Sequence, residues 1–376
     1  MIKVSKSCLS NIELKNIKKV LKKEYLGMGP EVKKFEEELK IFFNGRNVVC
    51  VNSGTAALHL ALQACSISHG DEVLVPAITY VATFQAISAT GAKPILCDIN
   101  LNDLNISLDS AKKRITKKTK AIIPVHFSGH PCDLDKIYKF AKLNKLRVIE
   151  DAAHAFGSYY KNKKIGSFGD VSCFSFDGIK NITAGEGGCI VSNDKKLIKK
   201  VSDSRLLGVI NDSQNRYKNQ RSWNFNVLEQ GWRYHMSDIN AAIGRAQLAR
   251  FKNLSNLRKN ICMTYDNIFL NYYDDVSIFK RNYNREVPHI YCILIKNLKK
   301  RDKLRQSLAK MKIQTGVHYI PGYKLDFYKI NKKLFPIAES VCDKIITLPL
   351  HPDLTIQQTK YIANSLIELL KKKLFY

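Results

Sequence analysis

The sequence predicts an α/β protein: a large domain with a mainly parallel sheet flanked by helices, followed by a smaller C-terminal α+β domain. Two observations carry this. Between residues 47 and 149, five short apolar runs alternate with four segments of helical periodicity, the pattern of strands joined by crossover helices. From about 250 onward the chain instead reads as helix, strands and helix, punctuated by Pro321, Pro349 and Pro352. A boundary near 250 therefore separates a large domain (1–250) from a small one (251–376).

The elements follow in order. Ser10 with Glu13 three residues later forms a capping box, and Ile12, Leu14, Ile17, Val20 and Leu21 recur at helical spacing, predicting a helix over about 10–23. Beyond the turn Gly27-Met28-Gly29, Pro30 opens a second helix marked by Val32, Phe35 and Leu39. The apolar runs NVVCV (47–51), EVLV (72–75), PILC (94–97), KAIIPV (120–125) and LRVI (146–149) are strands. Helices fall at about 55–65, 79–90, 108–114 and 133–143. VSCFSF from 171 and GCIVSN from 188 add two strands separated by a glycine-rich turn. The polar stretch 209–226 reads as a surface loop, and a long helix begins near Ser237.

Composition bounds the classes of function. A hydrophobic content of 45% permits a sizeable core, no apolar run reaches the ~18 residues of a membrane span, and the N-terminal stretch lacks the apolar centre of a signal peptide, so a cytosolic protein is expected. Ten cysteines without a CxxC pair read as buried reduced thiols, with no metal site. The 61 basic against 33 acidic residues leave a net charge of +28, which attracts polyanions. The lysines are spread as doublets, with Lys371-Lys372-Lys373 the longest run of lysines, and no basic arm stands out. An anionic small substrate or an anionic membrane surface is compatible with that charge, and a regulatory or nucleic-acid-binding protein is the rival class.

Ligands of open parallel sheets sit beyond the carboxyl ends of the strands. Three such places carry chemistry. Asn52-Ser53-Gly54-Thr55-Ala56 follows the first strand and opens a helix, where N–H groups and the helix dipole suit a phosphate. Glu150-Asp151-Ala152-Ala153-His154 puts a carboxylate and an imidazole at another strand end. Alternation along Val171–Phe176 sets Ser175 opposite Phe174 and Phe176, and Lys180 follows four residues beyond. Taken singly these are a cap, a turn former and an exposed lysine. Together they supply what one cofactor needs: a phosphate cradle, a carboxylate for a ring nitrogen, an aromatic platform and an amine for an aldehyde.

The segments GPEVKKFEEEL, VNSGTAALHLAL, DEVLVPAITYVAT, VIEDAAHAFGS, FSFDGIKNITAGEGG, MSDINAAIGRAQL and LPLHPDLT occur in that order and span nearly the whole chain. In them the sequence resembles the nucleotide-sugar aminotransferases of the DegT/StrS type, which are fold-type I pyridoxal-phosphate enzymes. The resemblance implies an aspartate-aminotransferase-like fold with a seven-stranded sheet, and pyridoxal 5'-phosphate carried on Lys180 as a Schiff base, with pyridoxamine 5'-phosphate between half-reactions. Lys180 would then shuttle protons, Asp151 pair with the pyridine nitrogen, Tyr80 stack on the ring and His154 lie beside its ring oxygen. Ser53, Gly54, Thr55, Ala56 and Ser175 would bind the phosphate. Met28, His318 and Tyr319 would touch the substrate.

By the same resemblance the enzyme is a homodimer with shared sites, L-glutamate is the amino donor, and the acceptor is a keto-deoxy nucleotide sugar for surface polysaccharide or glycan synthesis, lipopolysaccharide O-antigen included. The run Lys180–Gly188 looks more like members acting on a C4 ketone than on a C3 ketone, the C3-specific enzyme being the alternative. Relatives that eliminate a sugar hydroxyl carry histidine in place of the lysine, and Lys180 argues against that chemistry. Three departures stand out. Asp177 replaces a frequent histidine, Arg233 replaces the asparagine that reaches the neighbouring subunit's phosphate, and Tyr323 replaces a second histidine.

Overall fold

The computed structural model describes residues 1–272 and 275–376. The chain opens with α1 (Asn11–Leu21) and α2 (Pro30–Phe42), then runs through β1 (Asn47–Val51), α3 (Gly54–Ala64), β2 (Glu72–Pro76), α4 (Val81–Ala89), β3 (Lys93–Cys97), α5 (Leu108–Arg114), β4 (Thr119–Ile122), α6 (Leu134–Leu143) and β5 (Arg147–Asp151). A two-residue hairpin, β6 (Tyr159–Tyr160) with β7 (Lys163–Lys164), precedes β8 (Val171–Ser175), β9 (Gly188–Ser192), α7 (Lys195–Ser204) and α8 (Asp212–Arg216). The helix α9 (Asp238–Tyr272) leads to β10 (Val276–Ile278), β11 (Tyr291–Ile295), α10 (Arg301–Lys310), α11 (Pro336–Cys342), β12 (Ile345–Leu348) and α12 (Ile356–Lys371).

Seven strands form one sheet in the order β1-β9-β8-β5-β4-β2-β3. Six share a direction, and β9 alone runs against its neighbours β1 and β8. Because the others are parallel, the carboxyl ends of β1, β2, β5 and β8 lie along one edge of the sheet. Both faces are covered. Val49, Val51, Val73 and Val75 pack with α3 and α4 on one side, while Val48, Cys50, Leu74 and Val148 pack with Phe35 and Phe43 on the other. Strands buried on both faces read as continuous apolar runs, as these do.

A second, antiparallel sheet, β10-β11-β12, builds its own core from Tyr265, Phe269, Tyr291, Ile293, Ile346 and Leu366. Residue 250 lies inside α9. The first half of that helix supplies Ala241, Leu248 and Phe251 to the large-sheet core, and its second half supplies Ile261, Tyr265 and Phe269 to the small one. We propose that the helix is shared between the two domains rather than cut by the boundary.

Two local expectations are corrected. In α1 the capping box is present, but Ile12, Leu14 and Leu21 are exposed, and the buried members are Val20 and Glu13. Polar anchoring turns the helix: Glu13 accepts from Ser10, Gln247 and Arg250, which holds its acidic face inward. The stretch 209–226 is not all loop. Asp212 and Ser213 open α8 and are buried, Ser213 accepting from the buried Arg205 guanidinium. The ten cysteines are free thiols, all buried except the half-buried Cys65. Among the described residues no helix is long and apolar enough to cross a membrane.

Candidate active site

A cavity of about 550 Å³ opens at the edge of the sheet where β1, β2, β5 and β8 end. The strand directions dictate its lining: Ser53, Gly54 and Thr55 follow β1, Thr79, Tyr80 and Thr83 follow β2, Asp151 ends β5, and Ser175 ends β8. The small domain closes it with His289, His318 and Tyr319. Such a volume suits a small-molecule cofactor together with part of a substrate.

At the β1 end, Ser53 caps α3 by accepting the Ala56 N–H (3.1 Å), and the first residues of the helix, Gly54 and Thr55, line the cavity. Gly54 permits a close approach, since a Cβ there would sit 2.8 Å from Ser175 Cβ. Ser175 Oγ accepts the Asp177 N–H (3.3 Å), which leaves the serine's own hydrogen free to donate. Two strand ends thus converge on an anion-binding corner.

Across the cavity, Asp151 is buried. Its carboxylate accepts from Thr83 Oγ1 (2.8 Å) and from the Ala153 N–H (3.1 Å). Burial pushes its carboxyl up, against the pull of those two hydrogen bonds and of Lys180. Lys180 lies on the turn after β8, its N–H donating to Asp177 O (3.1 Å). Burial brings its amine down to about 8, against the opposing charges of Asp151 and Asp177.

His154 Nδ1 accepts the Ser128 N–H (3.2 Å), so its hydrogen is on Nε2 and is donated to Tyr319 Oη (2.9 Å). The Tyr319 hydroxyl hydrogen is then free. Burial, followed by the Lys180 charge, holds His154 well below the usual imidazole range and brings His318 to about 4, so both rings are neutral. Tyr80, the exposed residue before α4, lies 5.7 Å from the Tyr319 ring.

The residues fit pyridoxal phosphate. A buried carboxylate whose charge is costly without a cation suits a protonated ring nitrogen, the Gly54–Ser175 corner accepts a phosphate, and an amine with a lowered pKa suits an aldehyde.

Thirteen sequence-predicted positions divide as follows. Ser53, Gly54, Thr55, Tyr80, Asp151, His154, Ser175, Lys180, His318 and Tyr319 line one cavity. Ala56 does not; it is buried, and its N–H is spent on the Ser53 cap. Met28 is fully buried in the core with Phe35 and Phe176, away from the cavity. Arg233 is exposed beside a separate small cavity, because its segment bridges to Leu206 and its carbonyl accepts from Asn52. Sequence reasoning missed Thr83 and His289. Thr83 sits within the motif DEVLVPAITYVAT, one helical turn past Tyr80, whereas nothing about a histidine at the head of the strand run HIYCILI marks it as chemical.

Residues 7–367 match the model of the DegT/DnrJ/EryC1/StrS aminotransferase family. GDP-perosamine synthase of Escherichia coli O157:H7 is 38% identical over 348 residues, 92% of each chain. Spore coat polysaccharide biosynthesis protein SpsC of Bacillus subtilis (strain 168) is 34% identical over 367 residues, 96% of this chain and 94% of its own. The putative sugar aminotransferase Spr1654 from Streptococcus pneumoniae superimposes with a TM-score of 0.92 at 30% identity, covering all of both chains in its PMP-form and 99% of each in its PLP-form. The matched segments include those that build the cavity, and the chain therefore belongs to the DegT/DnrJ/EryC1/StrS aminotransferase family, as a pyridoxal-phosphate-dependent aminotransferase.

Proposed function

We propose that this enzyme transfers an amino group from L-glutamate to the C4 ketone of a keto-deoxy nucleotide sugar, in the synthesis of surface polysaccharide or glycan. The observation that carries the reading is the meeting of Lys180, its amine at about 8, and the buried Asp151 in one cavity. Supporting it, one relative is a GDP-perosamine synthase and another a spore coat polysaccharide biosynthesis protein. The C4 preference rests on the likeness of the Lys180–Gly188 run to enzymes acting there.

When bound, pyridoxal phosphate supplies an aldehyde that condenses with amines and a ring that accepts electrons. Asp151 holds a negative charge where it pairs with the ring nitrogen. The N-terminus of α3, with Ser53, Gly54, Thr55 and the free Ser175 hydroxyl, holds the phosphate. Lys180 Nζ takes the α-proton of the donor in one direction and delivers a proton to the sugar carbon that gains the amine in the other; a base near the working pH serves both tasks. His154, donating to Tyr319, leaves the tyrosine hydroxyl to bond the ring oxygen or the sugar. Tyr80 covers the ring face.

The same reading makes the enzyme a homodimer. Arg233 stays outside its own cavity, on a segment next to the exposed Trp223, Phe225 and Leu228, and reaches toward a neighbour's phosphate. Its guanidinium would bind there by a charge-assisted bond.

The test combines spectrum and product. Purified protein is yellow when loaded, and Lys180→Ala removes that absorption; a variant retaining the band would refute the role of Lys180. Mass spectrometry after incubation with glutamate and a panel of 4-keto and 3-keto nucleotide sugars yields a product aminated at C4. Amination at C3 overturns the regiochemistry, and no amination of any panel member overturns the nucleotide-sugar assignment.

A further inference from the structure

We infer that His289 is the positioning residue of Lys180: its Nε2 accepts a hydrogen from the lysine amine and keeps that amine aimed into the cavity whenever it is free. This rests on the reading of Lys180 as the working amine. His289 Nε2 lies 3.4 Å from Lys180 Nζ. The imidazole is buried and packs on His154, with ring centroids 4.5 Å apart.

Buried contacts hold together the main chains that carry the two side chains, and Asn181 Nδ2, next to Lys180, donates to the Val287 carbonyl (3.4 Å). Arg258, buried on α9, donates through Nη1 to the His289 carbonyl (3.1 Å) and through Nη2 to the carbonyls of Ile179 (3.3 Å) and Lys180 (3.4 Å). A single guanidinium thus clips the main chains that carry both partners. The His289 N–H is tied in addition to Ser128 O (3.3 Å).

The residue type matters. The charged groups around the amine are Asp151 and Asp177 on the acidic side and Arg258 on the basic side, with the imidazoles of His154, His289 and His318 closing the remainder. Burial, then Lys180, His154 and Arg258, holds His289 well below the usual imidazole range, so the ring is neutral. With its hydrogen on Nδ1, it accepts at Nε2. Nδ1 is buried and has no partner in the described structure, so Nε2 is the nitrogen with a neighbour to serve. A neutral acceptor directs the amine without adding a charge. A carboxylate in its place would pair with the ammonium and pull the amine away from the range in which it works as a base.

The experiment titrates Lys180 in the full-length enzyme loaded with pyridoxamine phosphate, where the amine is free. Labelling with [ε-13C]lysine and identifying the signal by its absence in Lys180→Arg gives the midpoint by NMR. An acceptor favours the ammonium, so His289→Leu lowers the midpoint and reduces kcat about tenfold or more with the KM for glutamate unchanged. His289→Gln, which offers an amide oxygen at similar reach, recovers most of both, and His289→Glu raises the midpoint. A purely structural histidine would leave the midpoint in place. His289→Leu with wild-type midpoint and kcat overturns the inference, as does a Gln variant no better than Leu. Should Lys180→Ala keep the yellow band, the reading of the site fails; should that band depend on Lys180 while His289→Leu moves nothing, the role of His289 alone fails.

Discussion

Asp151 shows how one buried charge can define a binding partner. Its carboxylate accepts from Thr83 and the Ala153 N–H, yet burial still drives its pKa upward. Two neutral donors do not offset the loss of water around an anion, whereas a ring N–H⁺ does. Asparagine keeps the shape and the hydrogen bond from Thr83 while removing the charge. Asp151→Asn is expected to retain the cofactor, measured by its absorption, and to lose about 10²–10³ in kcat, the usual effect of deleting one preorganised electrostatic partner. Full turnover would contradict the pairing with the ring nitrogen.

At the scale of elements, α9 joins the two cores and carries Arg258 to the site. Its first half approaches α2 closely because residue 244 is glycine: a Cβ there would lie 2.6 Å from the Phe35 ring, which is itself fully buried beside Phe176. Two effects compete in Gly244→Ala. Alanine gains about 1 kcal/mol of helix propensity, and forcing extra volume into a filled core costs about 1–3 kcal/mol. Phe35 is fully buried against Phe176, so the packing cost wins and the variant is destabilised by about 1 kcal/mol, read as a lower urea midpoint at unchanged slope. A raised midpoint would show that α2 yields easily. The glycine at 188 plays a similar part in the sheet, where a Cβ would fall 2.6 Å from Ser53 O, at the turn that starts the phosphate corner.

For the whole molecule, the exposed apolar residues matter more than the net charge of +28. Trp223 and Leu228 are 88% and 73% exposed, next to the segment that carries Arg233. Large apolar side chains grouped on a surface mark an interaction site. Sedimentation velocity is expected to report about twice the mass of one chain, and a contact of this kind persists in added salt, which screens exposed charge pairs but not apolar burial. A monomer at micromolar concentration would remove the shared site and with it the task given to Arg233.

Much of this was legible in the chain because strand and helix periodicities are local. The five runs between 47 and 149, the capping box at Ser10 and the proline start of α2 follow from neighbouring residues alone. The convergence of Ser53, Asp151, Ser175 and Lys180 was legible too, since parallel strands must place their carboxyl ends on one edge. What the local pattern could not contain is which face a helix turns inward and which distant side chain meets another. Ile12, Leu14 and Leu21 of α1 face outward while Glu13 is held inward by Gln247 and Arg250, more than 230 positions away. Arg233 and Met28 lie in the right segments but outside the cavity, one drawn off by pairing with Leu206 and the other absorbed into the core. His289 comes from the small domain, and it meets Lys180 through contacts between distant segments, among them Arg258 reaching from α9 to both main chains. The sequence by itself determined the fold class, the family and the edge of the sheet where the chemistry lies. The tertiary structure alone decided that His289 meets the amine, because that contact joins residues 109 positions apart, through packing between domains that no local pattern records.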